Sequence, residues 1–151
     1  MCLVSVKNQD LYMIGGQTGP EDQDVLNTIY LSSNKQAWTK VAEMTFTRKN
    51  CNVIVNGDKL FIFGGYCGKY KFCTTKIEIF DIPSKTLNAA EYRLPQGVEG
   101  ASLAWHEDKL LLVGGRRFDK PSNEVLMLDF ETKSMLSLRY NNFYDFKKYE
   151  Q

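Results

Sequence analysis

Leu60-Phe61-Ile62-Phe63-Gly64-Gly65 is an apolar run closed by two glycines, and the chain repeats it as Leu11-Tyr12-Met13-Ile14-Gly15-Gly16 and Leu110-Leu111-Leu112-Val113-Gly114-Gly115. The pairs recur at intervals of 49 and 50 residues, so the chain is three copies of one unit. Further out, a second apolar segment follows each pair: Thr28-Ile29-Tyr30-Leu31-Ser32, Ile77-Glu78-Ile79-Phe80-Asp81 and Val125-Leu126-Met127-Leu128-Asp129. Six residues beyond each segment stand Trp38, Leu87 and Met135. Upstream, Cys51-Asn52-Val53-Ile54-Val55 has counterparts in Cys2-Leu3-Val4-Ser5-Val6 and Ala101-Ser102-Leu103-Ala104-Trp105 by the same spacing, which sets Cys2 in the place of Cys51.

Each unit thus holds four short runs, rich in β-branched and aromatic types and separated by turn formers such as Asn56-Gly57 and Pro83-Ser84. That pattern predicts four-stranded antiparallel meanders and leaves no room for the crossover helices of a parallel sheet. The fold class is all-β. A repeat near 50 residues whose sheet cannot bury both faces alone implies sheets stacked radially as propeller blades. The glycines then mark a close approach of backbones or positive φ at the end of each second strand.

Apolar run, Gly-Gly, variable loop, a strand ending in Asp and a Trp six positions later together resemble the kelch repeat, over nearly the whole chain. The second copy fits best, with Arg48 ahead of its first strand and Asp81 before Pro83-Ser84-Lys85-Thr86. Two departures affect blade regularity. The tryptophan survives only as Trp38, and Val98 stands where the second copy has Arg48. The resemblance implies three kelch-type blades, approximately 1-42, 50-90 and 100-139, followed by an aromatic tail, 140-151. Three blades make an incomplete propeller, since closed rings have about four to eight. A piece of a longer protein is the favoured explanation, and two copies completing a six-bladed ring as a homodimer is the alternative.

Apolar residues make up 43% and charged residues 25% of 151, the balance of a globular domain. A formal net charge of +1 removes any global attraction to nucleic acid or membrane, and no segment reads as a spanning helix or signal peptide. An intracellular, cytoplasmic address and no nucleic-acid partner are expected. The tail carries five aromatic residues between Tyr140 and Tyr149, read as rings that cap the open edge of the third blade.

Site chemistry is sparse. His106, the single histidine, falls at a hairpin turn. The four cysteines, Cys2, Cys51, Cys67 and Cys73, lack the close pairing of a zinc site. No catalytic residue, metal or cofactor is expected. Cys2 and Cys51 read as structural thiols. Cys67 and Cys73 flank a loop that could bridge them, although the reduced state fits an intracellular protein. The alternative is a redox-sensing pair beside Lys69 and Lys71, which would lower a thiol pKa.

Function in such a fold sits in loops. The meander puts residues 17–24, 43–50, 66–74, 94–100 and 116–122 on one side, and these are the long connections. The first blade offers Glu21, Asp22 and Asp24 there. The second and third offer Arg48, Lys49, Lys69, Lys71, Arg116, Arg117 and Lys120 among Tyr66, Tyr70, Phe72 and Phe118. Arg beside aromatic rings is the composition of interface hot spots, and an acidic or phosphorylated peptide is the matching ligand. The kelch resemblance implies a protein-interaction module or adaptor. A sugar-acting, mutarotase-like enzyme and a product without an independent role are the other readings. A thiol count on denatured, non-reduced protein is expected to return all four cysteines as free thiols; fewer would indicate a disulfide.

Overall fold

Strands form where the alternation and turn residues place them, and the computed structural model describes residues 1–7, 9–33, 37–118 and 120–138 in full, with 142–145 as backbone. The first sheet runs β1 (Cys2–Val6), β2 (Asp10–Gln17), β3 (Val25–Ser33), β4 (Thr39–Glu43), each strand antiparallel to the next. The second blade holds β5 (Asn52–Asn56), β6 (Lys59–Phe63), β7 (Tyr66–Cys67), β8 (Phe72–Cys73), β9 (Lys76–Asp81) and β10 (Thr86–Arg93). Strands β5, β6, β9 and β10 make its sheet, and β7 with β8 is a small ladder inside the long loop.

The third blade repeats this plan with β11 (Ser102–His106), β12 (Lys109–Val113), the loop ladder β13 (Arg116–Arg117) and β14 (Lys120–Pro121), then β15 (Val125–Asp129) and β16 (Ser134–Ser137). Its sheet gains a fifth strand, β17 (Asn142–Asp145), which pairs antiparallel with β16. Tail backbone therefore extends the outer edge of that blade. The proposed capping by the tail's rings concerns side chains outside the described residues.

The glycine-terminated runs are continuously apolar because β6 is buried on both faces. Leu60 and Ile62 join Tyr12, Ile14, Ile29 and Phe80 in the core between the first two blades. Phe61 and Phe63 join Leu110, Leu112, Leu126, Leu128 and Met135 in the core between the second and third. Side chains alternate across a strand, so a strand sandwiched between two neighbours needs apolar residues at every position.

One register differs from the sequence reading. Cys2 lies opposite Ile14, Asn52 opposite Phe63 and Ser102 opposite Val113, so Cys2 corresponds to Asn52 and not to Cys51. Val6 pairs with Asp10 across residues 7–9, whereas Asn56 pairs with Lys59 across Gly57 and Asp58. That added turn residue shifts the first strand by one, and a shift of one turns a side chain to the opposite face. Cys2 and Cys51 consequently meet in the same core from opposite blades.

The blades are fastened by the linkers entering β5 and β11. The amide of Gly16 donates to the Arg48 carbonyl at 2.8 Å, and the amide of Gly65 donates to the Val98 carbonyl at 2.8 Å. The next linker residue turns to its own blade: Lys49 and Tyr66 exchange two backbone hydrogen bonds, as do Glu99 and Arg116. Gly15 and Gly64 sit at φ +55° and +56°, and a Cβ on either would overlap the arriving carbonyl oxygen. Gly64→Ala is accordingly expected to cost about 3 kcal/mol or more in urea unfolding, from combined overlap and left-handed strain. Gly57→Ala, at φ +57° with open space around it, should cost only about 1 kcal/mol; equal losses would remove the linker seat as the reason for the glycines.

Candidate protein-interaction face

The linkers and long loops come together at one end of the sheets and are seated on each other. The Tyr66 hydroxyl donates to Asp22 Oδ2 at 3.3 Å, and Lys49 Nζ donates to Gln17 Oε1 at 3.1 Å, joining the first blade's loop to the second's. Asn50 Nδ2 donates to Glu99 Oε2 at 2.9 Å, joining the second linker position to the third. A Cβ at Gly68 would overlap the Asp22 carbonyl, and one at Gly97 the Cys73 carbonyl, so the loops are in direct backbone contact. Side chains on this surface start from fixed backbone.

Arg48, expected on the binding face, is not on it. It is 0% exposed, and its guanidinium donates to Glu78 Oε2 at 2.6 Å, to the Gly64 carbonyl at 2.8 Å and to the Lys76 carbonyl at 3.0 Å. Glu78 is completed by the amide and hydroxyl of Thr45, at 2.8 and 2.7 Å. A cation so enclosed is held by its desolvated partner and cannot meet a ligand. Arg117 is similarly occupied, ion-paired with Glu124 and donating to Gln96 at 2.6 Å. Lys49 is half-buried, with Nζ 5.0 Å from the Tyr66 ring centre.

Lys69, Lys71, Arg116 and Lys120 are exposed, and among the described residues no carboxylate ion-pairs with them. Tyr70 is 53% and Phe118 77% exposed, beside half-buried Tyr66 and Phe72. The first blade's acids serve its own turn: Asp24 accepts from the Glu21 amide at 3.0 Å, and Asp22 takes the Tyr66 hydroxyl. Sequence reasoning missed Phe46 and Lys76. Phe46 packs edge-on against Tyr70 and Phe72, with centroids 5.8 and 5.9 Å away, and Lys76 Nζ lies 5.0 Å from the Phe46 centroid. The available signal was an aromatic residue two positions before Arg48, at the linker position that the third copy fills with Gln96.

All four cysteines are free thiols. In the β7–β8 ladder Tyr66 faces Cys73 and Cys67 faces Phe72, which sends the two thiols to opposite sides of the ribbon. The idea that Lys69 and Lys71 activate them is overturned. Burial raises Cys67 to about 11 and raises Cys73 as well, and it pushes Cys51 to about 12. Raised thiols are poor nucleophiles. Among the described residues no helix is long and apolar enough to cross a membrane.

A family model described as "KLHDC2/KLHL20/DRC7 Kelch-repeats domain" matches residues 1–143. "Kelch-like protein 25" of Rattus norvegicus and that of Homo sapiens are each 27% identical over 84 residues, which is 56% of this chain and 13% of theirs. The same-named protein of Xenopus tropicalis is 25% identical over 85 residues, 56% of this chain and 14% of its own length. The chain therefore matches a small part of these longer relatives.

The buried pair has a direct test within the repeat. Ladder positions equate Glu78, opposite Ile62, with Leu126, opposite Leu112, so the third blade replaces Arg48 and Glu78 by Val98 and Leu126. Arg48→Ala should destabilise the chain by about 3–5 kcal/mol, because it strands the Glu78 charge. Arg48→Val with Glu78→Leu should lose less than either single change in a denaturation cycle; additive losses would mean that the pair is not coupled.

Proposed function

This chain belongs to the kelch-repeat family, and from that premise we propose that it is a protein-interaction module, an adaptor, binding an acidic segment of a partner through the loops of its second and third blades. Kelch repeats typically serve binding and not catalysis. The observation that carries the reading is Phe118. Its ring is 77% exposed although its backbone sits at φ +54°, a left-handed conformation that a side chain resists by about 1–2 kcal/mol.

The hairpin beneath that ring is fixed. Arg117 is held by Glu124 and Gln96, and the Ser122 amide closes the loop by donating to the Gly115 carbonyl at 2.8 Å. A rigid base that presents a strained aromatic to solvent is poor design for stability and good design for an anchor in a partner's pocket. Among the described residues no carboxylate ion-pairs with Arg116 or Lys120 on either side of it, and these cations favour an acidic rim on the partner. Among the described residues the seat at Gly114 meets only the Ser122 carbonyl, 3.5 Å from where a Cβ would stand, which would admit the linker of a further blade. Such a blade would come from the same polypeptide or, in a ring of two copies, from a homodimer, and light scattering separates the cases.

Panning a random peptide display library on the purified chain tests the face. Recovered peptides should be rich in Asp and Glu. Lys69→Glu with Arg116→Glu should weaken the best peptide at least about tenfold at unchanged melting temperature, since both side chains are exposed. Phe118→Gly should weaken binding while raising stability by about 1 kcal/mol through relief of strain. Neutral peptides, or binding indifferent to these changes, would remove the proposed face.

A further inference from the structure

We propose that Phe46, Tyr70 and Phe72, with Lys69, Lys71 and Lys76 around them, form a subsite for a phosphorylated tyrosine side chain of the bound partner. This deepens the interaction reading and rests on it. The three rings come from two separate segments, the linker after the first blade and the long loop of the second. Every pair lies within packing distance: Phe46–Tyr70 at 5.8 Å, Phe46–Phe72 at 5.9 Å and Tyr70–Phe72 at 6.1 Å. None of the three belongs to either interblade core. Tyr70 keeps 53% of its surface in solvent, so the cluster offers ring surface on which another ring can stack.

The platform is preorganised. Gly68, at the start of the turn that carries Tyr70, is pressed onto the Asp22 carbonyl and the Val25 side chain, and Cys67 before it is fully buried. Lys71 closes the turn at φ +53°, with its amide donating to the Gly68 carbonyl at 3.2 Å.

Charge decides between ligand chemistries. Lys69 Nζ stands 5.4 Å from the Tyr70 centroid and Lys76 Nζ 5.0 Å from that of Phe46, so two ammonium groups already lie against the rings. Lys71 lies between Tyr70 and Phe72 in the chain and is exposed. Among the described residues none of the three lysines is ion-paired, and the nearby Asp22 and Asp24 are engaged by Tyr66 and the Glu21 amide. Three ammonium groups beside apolar rings match a ligand that is aromatic at its stem and carries close to two negative charges at its tip. A carboxylate side chain would supply the charge without covering the rings. Phosphoserine carries its dianion on a stem too short to stack.

Titration of isotope-labelled chain by NMR with phenyl phosphate, inorganic phosphate and phenol as separate probes tests the subsite. Phenyl phosphate should shift the amides of Phe46 and residues 69–72 and bind at least about tenfold tighter than either fragment, and it should displace the acidic display peptide when that peptide is phosphorylated on tyrosine. Tyr70→Ala, and Lys69→Gln with Lys71→Gln, should each lose most of that preference. Equal binding of inorganic phosphate, or shifts centred elsewhere, would overturn the subsite. If phenyl phosphate is silent while acidic peptides still depend on Arg116 and Phe118, the subsite fails and the docking face stands. If the acidic peptides also fail, both readings fall.

Discussion

One hydrogen bond, repeated, organises this molecule: the amide of the second glycine in a blade donates to the carbonyl of the linker that enters the next blade. The linker residue that follows then pairs with the position after its own blade's glycines, so two consecutive residues tie adjacent sheets together at one end. Both requirements fall on backbone atoms. Only the glycine must be a particular residue, because the approach leaves no space for a Cβ and the chain bends into positive φ there. Linker side chains are then free to vary, which is how Arg48 and Val98 occupy the same station.

That freedom explains an apparent irregularity. The second blade fills the space beneath its linker with an ion pair, Arg48 to Glu78, satisfied by two carbonyls and by Thr45. The third fills the same stations with Val98 and Leu126, both buried in one apolar core. A buried, hydrogen-bonded ion pair and a well-packed apolar pair have similar net worth, because desolvation offsets most of the Coulomb gain. What neither solution tolerates is half of the other. The two positions therefore change together along the chain, and losing the arginine in the third copy leaves its packing intact.

The fold was legible because its constraints are local and repeated. Gly-Gly after an apolar run identifies a backbone contact, and uninterrupted apolarity from Leu60 to Phe63 identifies a strand covered on both faces. What escaped the sequence was relational. The slip that separates Cys2 from Cys51 arises in a turn with one extra residue, and spacing from the glycines cannot see on which side of them an insertion falls. The burial of Arg48 depends on Glu78, a carboxylate 30 positions downstream whose counterpart in the third copy is a leucine. The fifth strand at Asn142–Asp145 lies outside the repeat and so outside any argument from periodicity.

The candidate face follows the same division between what is counted and what is free. By composition the second and third blades supply a basic arc, yet Arg48 and Arg117 are occupied by internal carboxylates. Among the described residues, the exposed cations of that arc without a carboxylate partner are Lys69, Lys71, Arg116 and Lys120, and they adjoin Tyr70 and Phe118, whose rings remain in solvent. Internal pairing has thus sorted charges into those that hold loops and those that loops present. The sorting is possible because each loop rests on its neighbour: Gly68 on Asp22 and Gly97 on Cys73. Groups presented from backbone already immobilised by neighbouring blades would lose little entropy on binding, which is the physical ground for seeking a partner at the proposed face.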